Sequence, residues 1–151
     1  MLTRRSKYGL KALLMLAAEA GRGPVPIWTL AERQRIPPKF LEAILLDLKK
    51  HGFLDSKKGK GGGYSLSRLA TQITIGEVIR ALEGPLALVP CVSQTAYRPC
   101  AECVDEATCQ VRWAMKEVRD ATAKILDNMS LSGLNARKMP AGDARRRPVR
   151  K

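Results

Sequence analysis

The chain has 151 residues, of which 45% are hydrophobic and 5% aromatic, and its formal net charge is +13 at pH 7. This length fits one domain of ordinary size with a short appended segment, and the scarcity of aromatic residues favours a helical core. No apolar stretch is long enough to span a bilayer, which excludes an integral membrane protein.

Basic residues are concentrated at the two ends of the chain. Residues 1–68 hold 14 Lys and Arg against 5 Asp and Glu, residues 69–135 hold 6 against 8, and residues 136–151 hold 7 against 1. The positive front half favours a polyanionic partner, with nucleic acid well ahead of an acidic membrane surface. Charge alone leaves open a basic protein that has no such partner.

The first residues loosely resemble a signal peptide, because Arg4, Arg5 and Lys7 precede an apolar run. Lys11 interrupts that run, which is then too short for a signal sequence. We therefore expect a cytoplasmic protein, in which thiols stay reduced.

Two helices are predicted ahead of the first proline pair. The first covers residues 6–20, where apolar side chains recur at helical spacing and Gly21 follows. The second is short and ends near residues 33–35. Its start is predicted at Thr29, because Thr29 and Glu32 match the Ser/Thr-x-x-Glu capping box.

A third helix and a hairpin are predicted next. Pro38 suits the first position of a helix that ends at His51-Gly52. Two short alternating segments, residues 53–56 and 64–67, then flank a glycine-rich basic loop, which predicts a β-hairpin. A phosphate-binding nucleotide loop is a poor alternative, because its Gly-Lys-Ser/Thr ending and following helix are missing. Helix, short helix, turn, helix and hairpin is the order of a winged helix-turn-helix.

A fourth helix is predicted over residues 75–83 and a longer one after Cys109. Apolar residues in the longer helix recur every 3.5 residues on average, which is typical of a coiled-coil seam: Val111, Met115, Val118, Thr122, Ile125 and Met129. A helix that packs on its own domain is the alternative, and we favour a dimerisation helix. After Gly133 the chain is rich in Arg and lacks periodicity, so we expect a disordered tail.

All four cysteines lie in one stretch with the spacing C-x8-C-x2-C-x5-C: Cys91, Cys100, Cys103 and Cys109. Four thiolates can bind zinc tetrahedrally or hold an iron–sulfur cluster. Only one close C-x2-C pair is present, which weakens zinc, and a metal-free redox pair is a third possibility. The lone histidine, His51, is expected to be a polar residue at a helix end.

The winged helix-turn-helix predicts which residues contact a DNA duplex. The start of the third helix enters the major groove, so Lys39 and Glu42 are the candidates for base edges. Glu42 would accept from a cytosine amino group or reject other bases. The phosphate candidates are Lys49, Lys58 and Lys60. A dimer would place two such units about 34 Å apart on a palindromic site.

Several segments resemble the bacterial regulator family that includes IscR, NsrR and CymR, the Rrf-two family. They are Gly23-Pro24-Val25-Pro26, Ala31-Glu32-Arg33-Gln34, Phe40-Leu41-Glu42, Leu48-Lys49-Lys50-His51-Gly52, Gly61-Gly62-Gly63-Tyr64 and Ile75-Gly76-Glu77-Val78-Ile79. The resemblance covers about residues 1–132. It implies a homodimeric winged-helix repressor or activator, and many members hold an iron–sulfur cluster on three cysteines before the long helix.

Within this resemblance, Cys91 and Cys109 look like the outer two cluster ligands, and the middle one is either Cys100 or Cys103. The chain also departs from the family. IscR has a histidine ligand three residues after its last cysteine, where this chain has Arg112, and no acid lies near Arg4, Arg5 and Lys7 to act as the N-terminal carboxylate of NsrR-type members. The fourth cysteine could therefore complete an all-cysteine site.

The predicted fold is mainly α, with a winged helix-turn-helix domain at residues 1–84, a cysteine loop at 85–109, a dimerisation helix at 110–132 and a basic tail at 133–151.

We expect a DNA-binding transcriptional regulator, not an enzyme, whose two-iron or four-iron cluster senses iron, oxygen, nitric oxide or redox state. The alternative is a zinc-stabilised or cluster-free regulator with a thiol redox switch. The expected partners are palindromic double-stranded DNA and a second copy of the chain, with no membrane and no small-molecule substrate. The metal candidates are all four cysteines, and the DNA-binding candidates are Lys39, Glu42, Lys49, Lys58, Gly59, Lys60, Arg4, Lys7 and Tyr8.

Overall fold

The computed structural model describes residues 2–137, and these form six α-helices, one hairpin and one 3-10 turn. In chain order they are α1 Arg4–Ala18, α2 Ile27–Gln34, α3 Pro38–Lys50, β1 Leu54–Lys57, β2 Gly63–Leu66, α4 Ile75–Glu83, the 3-10 turn Pro90–Val92, α5 Gln110–Asp127 and α6 Leu131–Ala136. The prediction of a mainly α winged helix-turn-helix is confirmed. No helix among the described residues is long and apolar enough to cross a membrane.

The winged helix-turn-helix of residues 2–84 forms the head domain. Its core lies where α1, α3 and α4 cross. Leu13, Leu41 and Leu48 are fully buried there. Gly9 lets α1 approach α4 closely, since a Cβ at this position would lie 2.6 Å from Leu82 Cδ1. The three helices therefore form one rigid unit that sets the position of the helix-turn-helix and the wing.

The helix-turn-helix follows the prediction except at the start of α2. This helix begins at Ile27 with Pro26 as its N-cap and has no side-chain cap, so the predicted capping box at Thr29 is wrong. Pro26 supplies the extended backbone of an N-cap residue, which lets the helix start before Thr29. A complete capping box occurs instead at α4, where the Thr74 side chain accepts from Glu77 N–H and Glu77 accepts from Thr74 N–H.

The wing is an antiparallel hairpin whose register pairs Leu54 with Leu66 and Lys57 with Gly63. It is attached to the segment before α2, because Tyr64 and Val25 exchange backbone hydrogen bonds of 2.8 and 2.9 Å. A Cβ at Gly63 would lie 2.3 Å from the Val25 carbonyl oxygen, so only glycine permits this approach. The wing is therefore fixed to the segment that leads into α2.

The end of α5 is joined to the head domain by backbone hydrogen bonds. Ile75 N–H donates to Met129 O at 2.8 Å, and Leu131 N–H donates to Ile73 O at 3.0 Å. The chain then forms α6, where Asn135 Nδ2 donates to Leu14 O on α1 at 2.9 Å. The long helix thus ends before residue 132, and the predicted start of the tail at residue 133 is wrong. Residues 138–151, the remainder of that predicted tail, lie outside the described residues.

Candidate cysteine site and nucleic-acid interface

All four cysteines line one cavity of about 500 Å³ beside the start of α5. Cys91 is buried in the 3-10 turn, Cys100 is exposed, and Cys103 and Cys109 are half-buried. All four are free thiols. The structure thus brings together the four side chains that the sequence singled out as metal ligands.

Cys109 occupies a special position, because it is the N-cap residue of α5. Its Sγ accepts the backbone N–H of Arg112 at 3.4 Å, and the free N–H groups of a helix start stabilise negative charge at this point. Partial burial raises the pKa of the Cys103 thiol, and the neighbouring Cys109 and Cys100 thiols raise it further. A bound metal would remove this mutual repulsion, since its positive charge stabilises thiolates.

A polar network holds the cysteine loop against α5. Tyr97 Oη donates to Glu106 Oε1 at 2.5 Å, and Glu106 Oε2 lies 3.4 Å from Arg112 Nε. Asp105 shapes the turn before Cys109 by accepting from the backbone N–H two residues later and from the Thr108 hydroxyl, each at 3.0 Å. Sequence reasoning missed Tyr97 and Glu106. Only their positions on either side of the C-x2-C pair could have indicated a contact.

Four thiols are a donor set that suits either an iron–sulfur cluster or a tetrahedral zinc ion. Within residues 2–137, no three His, Cys, Asp or Glu side chains are arranged to hold one metal ion. A tetrahedral zinc site needs its four ligands around one point, whereas a cluster distributes four cysteines over more than one iron. Either kind of site would lie in the cavity that the four thiols line.

Arg119 connects the cysteine loop to the middle of α5. Its Nη1 donates to Val92 O at 2.8 Å, and its Nη2 lies 2.5 Å from Asp120 Oδ1, while only 11% of its side chain is exposed. Val92 directly follows Cys91 in the 3-10 turn. The position of the first cysteine is therefore coupled to α5 through one buried guanidinium.

An apolar stripe runs along the solvent side of α5. Val111, Val118 and Ile125 are 63%, 43% and 60% exposed, and Ala114 and Ala121 lie between them at heptad spacing. The other predicted seam residues are half-buried: Met115, Thr122 and Met129. Met129 lies beyond α5 and packs against the head's core, so its assignment to the seam is wrong.

The exposed face of α3 carries the predicted base-reading residues. Lys39 and Glu42 are both exposed near the start of the helix, while Leu41 on the opposite face is fully buried. Lys49 is exposed near the end of α3, and its Nζ donates to Ser56 Oγ of the wing at 2.6 Å. These three predicted DNA contacts therefore lie along one helix, which is itself joined to the wing.

The wing tip and the start of α1 carry the remaining candidates. Lys58, Gly59 and Lys60 are exposed in the loop between β1 and β2, and Gly59 has a φ of 89°, which favours glycine. Arg4 and Lys7 are exposed on the first turns of α1. The structure leaves these side chains accessible to a polyanion.

Tyr8 is half-buried and packs edge-on against Phe40 of α3, with ring centroids 5.8 Å apart. Phe40 is itself 42% exposed beside Lys39, and Trp28 on α2 is 70% exposed. Sequence reasoning assigned neither Phe40 nor Trp28 a role. The signal would have been a large aromatic residue in each of the two helices of a basic helix-turn-helix.

The family is decided by a profile match. The profile of the Rrf2 family, described as iron-dependent transcriptional regulators, matches residues 2–137. The chain belongs to the Rrf2 family. It is therefore a transcriptional regulator with a DNA-binding winged helix, and not an enzyme.

Individual relatives agree with this assignment. A Rhodobacter capsulatus HTH-type transcriptional regulator described as rrf2-like is 42% identical over 93% of this chain and 96% of its own. The HTH-type transcriptional regulator IscR of Sodalis glossinidius is 33% identical over 88% of this chain and 77% of its own. Among solved structures, CymR, the global cysteine regulator of Bacillus subtilis, superposes with a TM-score of 0.76 at 28% identity, covering 92% of this chain and 98% of that one.

Proposed function

We propose that this Rrf2-family regulator is a homodimer whose affinity for operator DNA is controlled by an iron–sulfur cluster at Cys91, Cys100, Cys103 and Cys109. The observation that carries the proposal is the cavity of about 500 Å³ that all four thiols line at the start of α5. The family's description as iron-dependent supports iron as the metal. When bound, the cluster would supply a redox-active and oxygen-sensitive centre.

The described contacts give a route from the cysteines to the DNA-reading surface. Cys91 is tied to α5 through Val92 and Arg119, and Cys109 forms the N-cap of the same helix. At its other end, α5 is joined to α4 of the head by the Arg80–Asp127 ion pair. A rearrangement of the thiols would therefore move α5, and with it the head.

Dimerisation would convert this movement into a change of DNA affinity. Val111, Val118 and Ile125 form an exposed apolar stripe at heptad spacing, which is the surface that a second α5 would cover. Two heads held by paired helices can match a palindrome only at one separation. A small change in the angle of α5 would alter that separation, so the cluster-bound and cluster-free forms would differ in affinity.

The testing experiment combines composition with DNA binding. Protein purified anaerobically is expected to absorb in the visible region and to contain iron and sulfide in equal amounts with little zinc. Its affinity for operator DNA, measured anaerobically at one salt concentration, is expected to differ at least tenfold from that of chelator-treated protein. A colourless protein that contains zinc would show that the cysteines hold a structural zinc ion and not a cluster. Equal affinities of the two forms would refute the sensor.

A further inference from the structure

We infer that Arg112 is an electrostatic partner of the metal centre, which neutralises the charge of the four thiolates and raises the reduction potential of the cluster. This inference rests on the proposed function, because it concerns the same cavity. It assigns a positive role to a position that offers no metal ligand. Arg112 is the only Lys or Arg among the residues that line the cavity in the described part of the chain.

The first observation is the position of the Arg112 guanidinium between Glu106 and the cavity. Arg112 Nε is buried and has no hydrogen-bond partner among the described residues, although its side chain is 33% exposed as a whole. Glu106 Oε2 lies 3.4 Å away, which makes an ion pair but not a hydrogen bond of acceptable geometry. Nε therefore faces Glu106 and the protein interior, and what Arg112 brings to the cavity that it lines is the positive charge of its guanidinium, which this long contact with Glu106 offsets only in part.

The second observation is the charge around the cavity. An all-thiolate iron–sulfur centre carries net negative charge, and Glu102 adds a carboxylate to the lining. Among the described residues, the N-terminus of α5 at Cys109 and the Arg112 guanidinium are the positive elements at this cavity. Because Arg112 and Cys109 share the first turn of α5, helix geometry sets the distance between their backbones.

Glu106 fixes the guanidinium at this place. The carboxylate of Glu106 joins Tyr97 on one side to Arg112 on the other, so it connects the segment before the C-x2-C pair to the helix after Cys109. Glu106 also withdraws part of the positive charge from the cavity. Its removal should therefore change the potential of the cluster in the direction opposite to the removal of Arg112.

The expected sign follows from the charge change on reduction. Each dithionite ion supplies two electrons as it is oxidised to two sulfite ions, so it reduces two centres. In each centre one ferric iron becomes ferrous and the centre becomes more negative by one charge. A nearby cation and N–H donor stabilise this more negative state, which raises the potential. Removal of the cation in Arg112→Gln is expected to shift the one-electron equilibrium toward the oxidised form at least tenfold, which corresponds to about 59 mV.

The test is an anaerobic dithionite titration of the full-length holoprotein, followed by visible absorption, with iron and sulfide counts for each variant. Arg112→Gln is expected to keep the iron and sulfide content and to lower the potential, and Arg112→Lys is expected to recover at least half of the shift. Arg98→Gln is the matched control. It removes the same charge from an exposed position of the same loop that does not line the cavity, and should change the equilibrium less than twofold.

Each result decides the inference. A wild-type potential in cluster-loaded Arg112→Gln overturns it and leaves the proposed function intact. If Arg112→Gln loses the cluster, the reduction potential of Glu106→Gln is measured instead. The inference requires that this potential be higher than in wild type, and an unchanged potential overturns it. Wild-type protein without iron and sulfide overturns the proposed function and the inference together.

Discussion

Arg80 on α4 and Asp127 at the end of α5 form a two-pronged ion pair, with Nη1–Oδ1 at 2.6 Å and Nη2–Oδ2 at 2.9 Å. Two parallel charge-assisted hydrogen bonds fix the orientation of both groups as well as their separation. This pair therefore sets the angle at which α5 leaves the head domain. A signal that reaches the head along α5 would be carried by this pair together with the backbone hydrogen bonds of Ile75 and Leu131.

Gly76 makes room for the pair, which predicts that one added methyl group at this position disturbs it. A Cβ at Gly76 would lie 2.0 Å from Asp127 Oδ1 and 3.0 Å from Arg80 Nη1. Gly76→Ala is therefore expected to displace the Asp127 carboxylate and weaken the pair, a loss of up to about 1 kcal/mol that offsets the gain of about 1 kcal/mol from the better helix propensity of alanine. Urea denaturation followed by circular dichroism measures this change.

The Asp127→Ala background supplies the control. With the carboxylate removed, Gly76→Ala no longer meets an obstacle and should be neutral or stabilise the protein by up to about 1 kcal/mol. The coupling between the two substitutions in a double-mutant cycle is the decisive quantity. Additive effects would mean that Gly76 is required for some reason other than the Asp127 carboxylate.

The same joint gives the stability a defined dependence on pH. The hydrogen bonds and charge of Arg80 lower the pKa of Asp127 below its usual value of 3.8, against an opposing effect of burial. A carboxyl group whose pKa is lower in the folded state stabilises the protein above its unfolded pKa, and this contribution is lost as the pH falls through the folded value. The loss should therefore begin just below pH 3.8 and continue downward.

Urea midpoints measured from pH 6 to pH 2 test this prediction on wild type and Asp127→Asn. Wild type is expected to lose stability more steeply than the variant below pH 3.8, and the two slopes should agree above pH 5. Glu77, whose pKa is also lowered, contributes a similar loss to both proteins and so cancels in the comparison. Parallel curves at all pH values would show that the ion pair does not contribute to stability.

Much of this fold was predictable because local signals agree with tertiary packing. The bounds of α4 followed from its apolar period and from Gly84, and Pro38 marked the start of α3 as its first helical residue. The start of α2 was not predictable, because Thr29 and Glu32 match a capping pattern that the chain does not use. Pro26, which forms the N-cap, offers no side-chain oxygen by which sequence could recognise it.

The candidate site was predictable in its donors but not in its surroundings. The four cysteines stood out by their spacing, yet the partners of Arg112 and Arg119 come from separate segments of an irregular loop. No period links Glu106 to Tyr97, or Val92 to Arg119, since such contacts depend on how the loop folds back on α5. The apolar seam on α5 was predicted only in part, for the same reason. Heptad spacing identified Val118, but only the packing of α5 on the head shows that Met115 is half-buried.

Val118 lies at the centre of the exposed stripe on α5, which predicts the effect of a charge at this position. Two copies of Val118→Glu would place carboxylates against each other in an interface of paired helices, where repulsion between like charges and the loss of apolar burial both oppose association. The variant is expected to elute as a monomer in size-exclusion chromatography with light scattering at concentrations where wild type is a dimer. Its binding to a palindromic operator should weaken at least tenfold.

Leu69→Glu is the matched control for this experiment. Leu69 is also an exposed apolar residue, at 68%, but it lies in the connection between β2 and α4 and outside the stripe. The control should remain dimeric and keep its affinity for the operator. A dimeric Val118→Glu variant would show that the stripe on α5 is not the interface.

Lys58 at the wing tip is expected to bind a phosphate, so its removal should weaken binding to all DNA sequences alike. Removing one lysine–phosphate interaction reduces the slope of log affinity against log salt by about one unit. Titrations of Lys58→Ala on the operator and on an unrelated duplex, from about 50 to about 200 mM salt, measure both effects. Lys124→Ala removes an equally exposed lysine from α5 and should leave the slope unchanged. If Lys58→Ala altered preference at one base pair and left the slope as in wild type, the lysine would read a base and the wing would enter a groove.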